Sequence, residues 1–324
     1  MASVVSLRTA LTRLWRADRP LTAGGLLMLA ALAVFAVGLV IDPRTITGAP
    51  AWLKPAKFAV STAIYMLTLA WVFGHISEWP RVRRLVSRTT VTVLVLEVGI
   101  IALQAWRGTT SHFNNATTLD AALFSVMGLA IVVQTLMSVL VAVALWRQQF
   151  ADHALGWALR LGMTLTIIGA TSGGLMTAPT SAQLADAQIK QTIPTIGAHT
   201  VGAPDGGPGL PGTGWSLAHG DLRVPHFLGL HALQMLPLLA WFLSRRRLEA
   251  ARRAHLVIAA GGSHLGLFLI LMWQALRRQS LVDPDMATIV ALAVWAVATG
   301  VAVWPFRGRH TSADVDSALN WINP

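Results

Sequence analysis

The chain has 324 residues, of which 54% are apolar and only 12% are charged, a composition that excludes an ordinary soluble globular protein. The formal net charge of +11 is distributed in short groups between apolar runs, which does not fit a nucleic-acid-binding patch, so we expect no nucleic-acid partner. The sequence contains no cysteine, which excludes disulfides, thiolate metal ligands and cysteine nucleophiles.

Apolar runs long enough to cross a bilayer, which takes roughly 20 residues in a helix, recur along the whole chain. We therefore predict an all-α fold, a polytopic membrane helical bundle of about eight transmembrane helices that forms a single domain over residues 21–306. The predicted spans, in chain order, are 21–41, 58–75, 89–106, 121–146, 158–177, 225–244, 256–276 and 286–306.

Two short segments flank this predicted domain. Residues 1–20 are predicted to form a helix that lies on the cytoplasmic membrane surface, because residues 4–16 place apolar side chains on one helical face with arginines opposite. These apolar residues are Val4, Leu7, Leu11 and Leu14. Residues 307–324 are predicted to form a cytoplasmic tail.

The distribution of positive charge predicts the orientation in the membrane. With the N-terminus inside, 17 of the 25 Lys and Arg residues lie in inner segments and 8 in outer segments. Because an excess of Lys and Arg marks the cytoplasmic side, we predict that both termini are cytoplasmic and that the inner arginines face anionic membrane lipids.

A weak internal similarity appears when the chain is shifted by 170 residues. Nine identities then fall in 53 aligned positions, among them Gln104 with Gln274 and Arg107 with Arg277. A true repeat would give two tandem four-helix halves, 21–146 and 158–306, in the same orientation. Two unrelated apolar helix pairs also share several identities by composition, so both interpretations stay open.

The predicted outer connection at 176–224 is far longer than a typical helix–helix loop. Its first part, Ser181–Gln191, is predicted to form a short surface helix. Residues 201–220 contain seven glycines and three prolines, which favours either a mobile cover over a site or a solvated linker.

Ionisable residues inside the predicted spans are few, and the deep ones are Glu97, His231 and His264. A charge at the bilayer centre costs about 2.5–3.5 kcal/mol on insertion scales, so such residues normally face a bundle interior or a cavity. Glu97 is predicted to be a catalytic proton acceptor; the alternative is a buried pairing that fixes packing. Pro237 predicts a kink in the sixth span because proline removes a backbone hydrogen bond.

The predicted outer loops hold a cluster of polar residues that favours a functional site at the outer end of the bundle. Neutral imidazoles and carboxylates suit a divalent metal such as Zn, Mn or Fe, although the spacing forms no strong motif. The predicted metal ligands are His112, His219, His226 and His231, and the predicted catalytic carboxylates besides Glu97 are Asp120 and Asp221.

Cationic and amide side chains near the same level are predicted to bind the substrate. Arg107 can hold a phosphate or a carboxylate through two parallel hydrogen bonds. Lys57, Gln104 and Asn114 complete this predicted set. The alternative for the lysines and the nearby Trp52 is anchoring at the headgroup level, where Trp and Lys are common.

Haem is the competing use of the deep histidines. A haem b held by two imidazoles needs two histidines on facing helices, and His231 with His264 is the pair available inside the predicted spans. The 170-residue shift reproduces neither histidine in the first half, which argues against a haem in each half.

Three segments carry a resemblance to other proteins: Trp52-Leu-Lys-Pro-Ala-Lys-Phe-Ala-Val-Ser61, Gln104-Ala-Trp-Arg-Gly-Thr-Thr-Ser-His-Phe-Asn114 and Arg223-Val-Pro-His-Phe-Leu-Gly-Leu-His231. They resemble a group of uncharacterised bacterial multi-pass inner-membrane proteins, over residues 50–280. The resemblance implies a bacterial inner (plasma) membrane location and no particular activity. Haem A synthase also has eight spans in two halves, but its paired histidines are not matched here.

These features favour a metal-dependent membrane enzyme that acts on a lipid-soluble or lipid-linked substrate at an extracytoplasmic His/Asp/Glu site. A proton-coupled transporter or a ligand-binding membrane protein is the alternative, and a haem or quinone redox protein is the third. The inner halves of the spans offer few polar groups, chiefly Gln134 and Ser138, which favours the enzyme over transport. The expected partners are membrane lipids and a small lipophilic or lipid-linked ligand.

Overall fold

The computed structural model describes residues 6–304, so the predicted tail at 307–324 lies outside the described residues, as do the first five. The described chain is mostly helical, and its strands are four two-residue segments. Seven helices of this part are long and apolar enough to cross a membrane, and a bent pair makes an eighth. The predicted all-α polytopic bundle is thus confirmed.

The helices, in chain order, are α1 (Leu7–Ala17), α2 (Arg19–Ile41), α3 (Leu53–Gly74), α4 (Pro80–Arg107), α5 (Thr118–Arg147), α6 (His153–Ser172), α7 (Ser181–Lys190), α8 (Arg223–Leu230), α9 (Ala232–Ser244), α10 (Ala250–Leu276) and α11 (Met286–Val303). A short 3₁₀ helix, Gly173–Thr177, follows α6. The strands are β1 (Thr45–Ile46), β2 (Ala49–Pro50), β3 (Thr200–Val201) and β4 (Gly220–Asp221); β1 pairs with β2 and β3 with β4, both antiparallel.

The chain divides into two compact units, each of which is described by itself. Within the described residues, unit 1 covers 6–144 and 179–197, and unit 2 covers 145–178 and 198–304. Unit 1 therefore contains α1 to α4, most of α5, and α7. Unit 2 contains α6 and α8 to α11. At one end of unit 1, α3 begins, α4 ends and α5 begins; we call this the 107–120 end.

The opposite end of unit 1 is tied together by Asp18, the residue that caps the start of α2. Its carboxylate accepts a hydrogen bond from the Leu21 N–H at 2.9 Å, as expected of an N-cap. The hydroxyl of Ser87 on α4 donates to the same carboxylate oxygen at 2.6 Å. The start of α2 is thereby joined to the first half of α4.

In unit 2, α6 crosses the α8–α9 pair at backbone contact. A Cβ atom built on Gly169 would lie 2.6 Å from the carbonyl carbon of Gly229, and one built on Gly162 would lie 3.0 Å from the Cα of Leu233. Any side chain at Gly169 would collide with backbone that cannot rotate away, so this crossing requires glycine.

Helices α8 and α9 are bent by 47° relative to each other at His231. Pro237 lies six residues beyond this bend, inside α9, and the kink predicted there stays a prediction. A contact from another helix coincides with the bend at His231. The Thr166 hydroxyl of α6 donates to the Leu230 carbonyl at 3.3 Å and accepts from the Leu233 N–H at 3.2 Å. A side chain from a neighbouring helix thus enters the backbone hydrogen-bond ladder, which is a known source of sharp bends.

The long connection at 176–224 has definite local structure. Helix α7 confirms the predicted short helix at Ser181–Gln191 and begins with a capping box formed by Thr180 and Gln183. Residues 193–196 then run beside 113–115 within unit 1, where the Asn115 N–H donates to the Pro194 carbonyl at 2.8 Å. The remainder, in unit 2, is closed by the pairing of β3 with β4.

Candidate functional site

Glu97 and His112 meet near the 107–120 end of unit 1. Glu97 projects from α4 and is only 2% exposed, while His112 lies in the loop between α4 and α5. The carboxylate Oε1 is 3.6 Å from the imidazole Nε2. The second carboxylate oxygen, Oε2, is buried and accepts no hydrogen bond. Buried polar atoms are nearly always paired, so a carboxylate oxygen without a partner is unusual inside a bundle.

The His112 imidazole is surrounded by aromatic rings from three elements. Its ring centroid lies 5.6 Å from that of Phe58 on α3, 6.2 Å from that of Phe113 in the loop and 6.4 Å from that of Phe124 on α5. Lys54 on α3 has its ammonium 6.0 Å from the Phe58 ring and is close enough to act on Glu97 electrostatically. The charged and titratable groups facing Glu97 are therefore Lys54 and His112, inside a largely apolar enclosure.

The orientation of His112 is fixed from the loop side. The hydroxyl of Ser111, a residue only 3% exposed, lies 3.1 Å from the imidazole Nδ1. Nε2 is the nitrogen turned toward Glu97. The next residue, Phe113, accepts a hydrogen bond from the Ile196 N–H at 2.9 Å, so the 193–196 segment holds this loop in place.

A second polar network lies at the 107–120 end, where both carboxylate oxygens of Asp120 accept hydrogen bonds. One carboxylate oxygen accepts hydrogen bonds from Gln104 Nε2 at 2.8 Å and from Arg107 Nη1 at 2.6 Å. The other accepts from the Thr117 hydroxyl at 2.6 Å, and Arg107 also donates to the Gln104 amide oxygen. Three residues predicted to bind substrate or to act in catalysis, Gln104, Arg107 and Asp120, are thus brought together, with their polar groups bonded to one another.

The other two predicted substrate-binding residues also belong to unit 1. Asn114 is buried, and its amide donates to the Thr109 hydroxyl at 2.9 Å and to the Thr110 carbonyl at 3.0 Å, which folds the loop on itself. Lys57 is half-buried in the first turns of α3, one turn after Lys54.

The remaining predicted carboxylate, Asp221, lies in unit 2 and is also saturated. It accepts from the Ser216 N–H at 2.8 Å and pairs with the Arg223 guanidinium, with N···O distances of 2.6 and 2.9 Å. Asp221 also lines a small cleft with Leu271 and Gln274 of α10.

The histidines predicted as metal or haem ligands in unit 2 lie in separate local environments. His226 Nδ1 is 2.7 Å from the Gly169 carbonyl, and His264 Nε2 is 2.9 Å from the Leu228 carbonyl. His231 sits at the bend between α8 and α9, and His219 lies in the loop before β4. Over residues 6–304, no three His, Asp or Glu side chains gather in an arrangement that fits a metal ion.

Another carboxylate in the unit 2 loop organises the backbone around it. Asp205 accepts hydrogen bonds from the N–H groups of His199 and Thr200, and its Oδ2 lies 2.6 Å from His199 Nδ1. Burial alone would raise the pKa of Asp205, but the hydrogen bonds and charge of His199 outweigh burial and hold that pKa well below its usual range.

Positions 170 residues apart share local geometry in the two units. The side chain of Gln104 donates to the Thr110 carbonyl and that of Gln274 to the Ser280 carbonyl, so each bonds the same relative position of the next loop. Gly108 and Arg278 both have positive φ angles, 76° and 64°. Arg277 pairs with Asp285, the N-cap of α11, as Arg107 pairs with Asp120 near the start of α5, and the Arg277 hydrogen bonds hold the pKa of Asp285 well below its usual range.

Sequence reasoning did not single out Ser111, Phe58 and Phe124, which shape the surroundings of His112. Phe58 has a readable signal, because it follows Lys54 by four residues and so shares its helical face. Ser111 directly precedes His112 in the chain, but its hydrogen bond to the imidazole depends on the loop conformation, and Phe124 meets His112 only through the path of the loop.

Comparison with protein-family models, curated proteins and solved structures finds no match. The resemblance to bacterial membrane proteins therefore stays a prediction, and the function is argued from the geometry.

Proposed function

We propose that this multi-pass membrane protein is a proton-coupled transporter or ligand-binding protein, and that Glu97 and His112 exchange a proton with its ligand. The observation that carries the proposal is the half-paired carboxylate of Glu97, buried in α4 with His112 Nε2 at 3.6 Å. An intramembrane carboxylate is expensive and is usually retained for function. A ligand that donates a hydrogen bond would complete the pairing of Oε2.

The aromatic enclosure supports a ligand with apolar surface. Phe58, Phe113 and Phe124 surround the imidazole, and apolar walls with a few convergent polar groups are typical of small-molecule sites. Low polarity around Glu97 and His112 also strengthens their electrostatic coupling to a bound charge. We therefore infer a small lipophilic ligand with a hydroxyl or protonated amine group.

We infer that the 107–120 end faces the outside of a bacterial inner membrane, with both termini in the cytoplasm. The excess of arginine in the segments at the opposite end supports this orientation. Protons and ligand would then reach Glu97 from the extracytoplasmic side, through the loop that carries His112.

Infrared difference spectroscopy of the purified protein in lipid, recorded between two external pH values, tests the proposal without knowledge of the ligand. We expect a carboxylic C=O band that is absent from Glu97→Gln and altered in His112→Asn. The matched control is Glu78→Gln, an exposed carboxylate before α4, which should keep the band. Unchanged difference spectra in Glu97→Gln would show that Glu97 exchanges no proton and would overturn the proposal.

A metal-dependent enzyme acting on a lipid-linked substrate is the second candidate. Two ligands of one Zn²⁺ ion, each about 2.0–2.2 Å from the metal, stand about as far apart as Glu97 Oε1 and His112 Nε2 do. A third and a fourth ligand would have to come from water or substrate. Near-stoichiometric metal in the purified protein that is lost in His112→Ala but kept in His226→Ala would favour the enzyme, and absence of metal from all three proteins would remove it.

We also propose that the two halves of the chain derive from an internal repeat. The shared hydrogen bonds of Gln104 and Gln274 and the shared positive φ of Gly108 and Arg278 support this origin. Under this proposal, Gln104→Ala and Gln274→Ala lower the midpoint of thermal unfolding to a similar extent. A large loss from one of them alone would count against equivalent roles.

A further inference from the structure

Three helices of unit 1 carry polar residues on single faces that run deep into the bundle. On α4, Ser87, Thr90, Glu97 and Gln104 are spaced by three, seven and seven residues, which places them along one side of the helix. All four are at most 2% exposed. From Ser87 to Gln104 this row rises about 26 Å at about 1.5 Å per residue, close to the ~30 Å of a bilayer core.

Helices α3 and α5 carry comparable rows, in which Phe58 and Met127 are apolar members. On α3, Lys54, Phe58, Thr62 and Tyr65 follow one another at intervals of four, four and three residues. On α5, the corresponding row is Asp120, Met127, Gln134 and Ser138, at intervals of seven, seven and four.

Direct contacts join residues of these rows at two levels. Gln104 of α4 donates to Asp120 of α5 at the 107–120 end. Deeper in the bundle, the hydroxyl of Tyr65 on α3 lies 3.1 Å from the Ser138 hydroxyl on α5. The Gln134 side-chain amide also donates a hydrogen bond to the Tyr65 hydroxyl oxygen at 3.3 Å. The three residues form what we call the tyrosine cluster.

Three buried oxygen atoms on these rows have no hydrogen-bond partner: Thr90 Oγ1, Glu97 Oε2 and Gln134 Oε1. Their residues are 0%, 2% and 8% exposed. Thr90 lies 14 residues before Gln104 and Gln134 lies 14 residues after Asp120, so both are about 21 Å below the Gln104–Asp120 contact. Two unpartnered oxygens therefore lie at the same estimated depth, one on α4 and one on α5, and water that reached this level would find polar partners there.

We propose that unit 1 contains a proton route that runs from Glu97 and His112 through water to the tyrosine cluster and Thr90, and on to Ser87 and Asp18. This inference rests on the proposed function and adds the path and the direction to it. The Ser87 hydroxyl already donates to the Asp18 carboxylate at the far end, which completes the row of polar groups.

The chemistry requires no oxidant or cofactor. A proton leaves Glu97 for a water molecule, and that water passes a proton to the next. The hydroxyls of Tyr65, Ser138 and Thr90 each accept a proton on a lone pair and release their own on the other side. Each hydroxyl is neutral again after the transfer, and Gln134 serves only to hold water through Oε1. The net result is one proton moved along the row.

Proton flux into liposomes tests the route. The full-length protein is reconstituted with a pH-sensitive dye inside, and a potassium gradient with valinomycin imposes a membrane potential. We expect flux above that of protein-free liposomes, reduced about tenfold or more when a relaying group is removed, as in Glu97→Gln and Tyr65→Phe. Tyr65→Phe keeps the ring and removes one oxygen atom, and Gln134→Met provides a second variant should the first fold poorly.

Thr135→Val is the matched control, because Thr135 follows Gln134 on α5 and its hydroxyl bonds the Ile131 carbonyl of its own helix. Equal flux in wild type, Tyr65→Phe and Thr135→Val would overturn the route, as would wild-type flux no greater than that of empty liposomes. The infrared band of Glu97 distinguishes a failure of the proton route from a failure of the proposed function. If that band responds to pH and survives in Tyr65→Phe while flux does not change, the route fails and the proposed function stands.

Discussion

Glu97 and Asp120 are both buried carboxylates of unit 1, and the protein pairs them in opposite ways. Both oxygens of Asp120 accept hydrogen bonds, from Gln104, Arg107 and Thr117. Glu97 has one oxygen 3.6 Å from His112 and one with no partner. The hydrogen bonds of Asp120 therefore stabilise the fold, whereas the unpartnered oxygen of Glu97 is expected to lower stability.

This contrast predicts opposite effects of two isosteric substitutions. Asp120→Asn removes charge-assisted hydrogen bonds and leaves Arg107 without its anion, so we expect a loss of about 1.5–3 kcal/mol in the free energy of unfolding. Glu97→Gln should leave stability unchanged or raise it, because functional residues are often held at a cost to stability. Thermal unfolding of both variants in the same detergent checks this, and a strongly destabilised Glu97→Gln would contradict it.

The crossing of α6 with α8 predicts a strict requirement for glycine at position 169. Gly169→Ala would place its Cβ 2.6 Å from the Gly229 backbone, and we expect the helices to be forced apart, with a loss of about 1–3 kcal/mol or more. Gly262→Ala on α10 is the control, since no heavy atom lies within 4 Å of its added Cβ. That variant should be neutral or more stable by up to ~1 kcal/mol, because alanine favours the helix. Similar unfolding midpoints for both variants would contradict the close crossing.

Thr166 is predicted to maintain the bend between α8 and α9. Thr166→Val keeps the shape of the side chain but removes the hydroxyl that bonds the Leu230 carbonyl and the Leu233 N–H. The two backbone groups would be left unpaired in the bundle, at a cost of about 1–3 kcal/mol. Thr171→Val is the matched control, because its exposed hydroxyl bonds only the Ile167 carbonyl of its own helix. Equal amide hydrogen exchange at residues 230–233 in both variants would rule out this role.

The loop of unit 2 is predicted to depend on pH through Asp205. The pKa of Asp205 is lowered from its usual value near 3.8, so its stabilising contribution is fully present above that pH. The contribution is lost progressively as the pH falls below about 4 toward the lowered pKa. Hydrogen exchange of residues 198–222, corrected for intrinsic rates, should show less protection in Asp205→Asn than in wild type at pH 5 to 7. The difference should shrink below pH 4, and a difference independent of pH would contradict the assignment.

The membrane spans could be predicted from the sequence, whereas the bend between α8 and α9 and the partners of the polar residues could not. Apolar length alone located the membrane helices, because a helix in lipid must satisfy its backbone internally whatever its neighbours are. The bend at His231 was not predictable from the local sequence. Pro237 is the local signal, but the hydroxyl that opens the hydrogen-bond ladder belongs to Thr166, on a different helix.

The partners of Gln134 and Ser138 were likewise not predictable from the sequence. In the sequence, Gln134 and Ser138 have no identifiable partner. In the structure, both contact the hydroxyl of Tyr65 on α3, and Thr90 lies at about the same depth on α4 as Gln134 does on α5. Hydrogen bonds between helices depend on how the helices are rotated and placed, and no periodicity within one helix records that.

The sequence by itself determined the all-α membrane class, the approximate spans, the short helix at Ser181 after the fifth predicted span, and the burial of Glu97. Each of these follows from local hydropathy and helix capping. Only the tertiary structure decided the partners. It places the imidazole of His112 beside Glu97, and it surrounds Asp120 and Asp221 with hydrogen-bond donors that include one arginine each. It also divides the predicted metal-binding histidines between the two units. Side chains far apart in the chain meet according to helix packing and loop path, and both are properties of the whole fold.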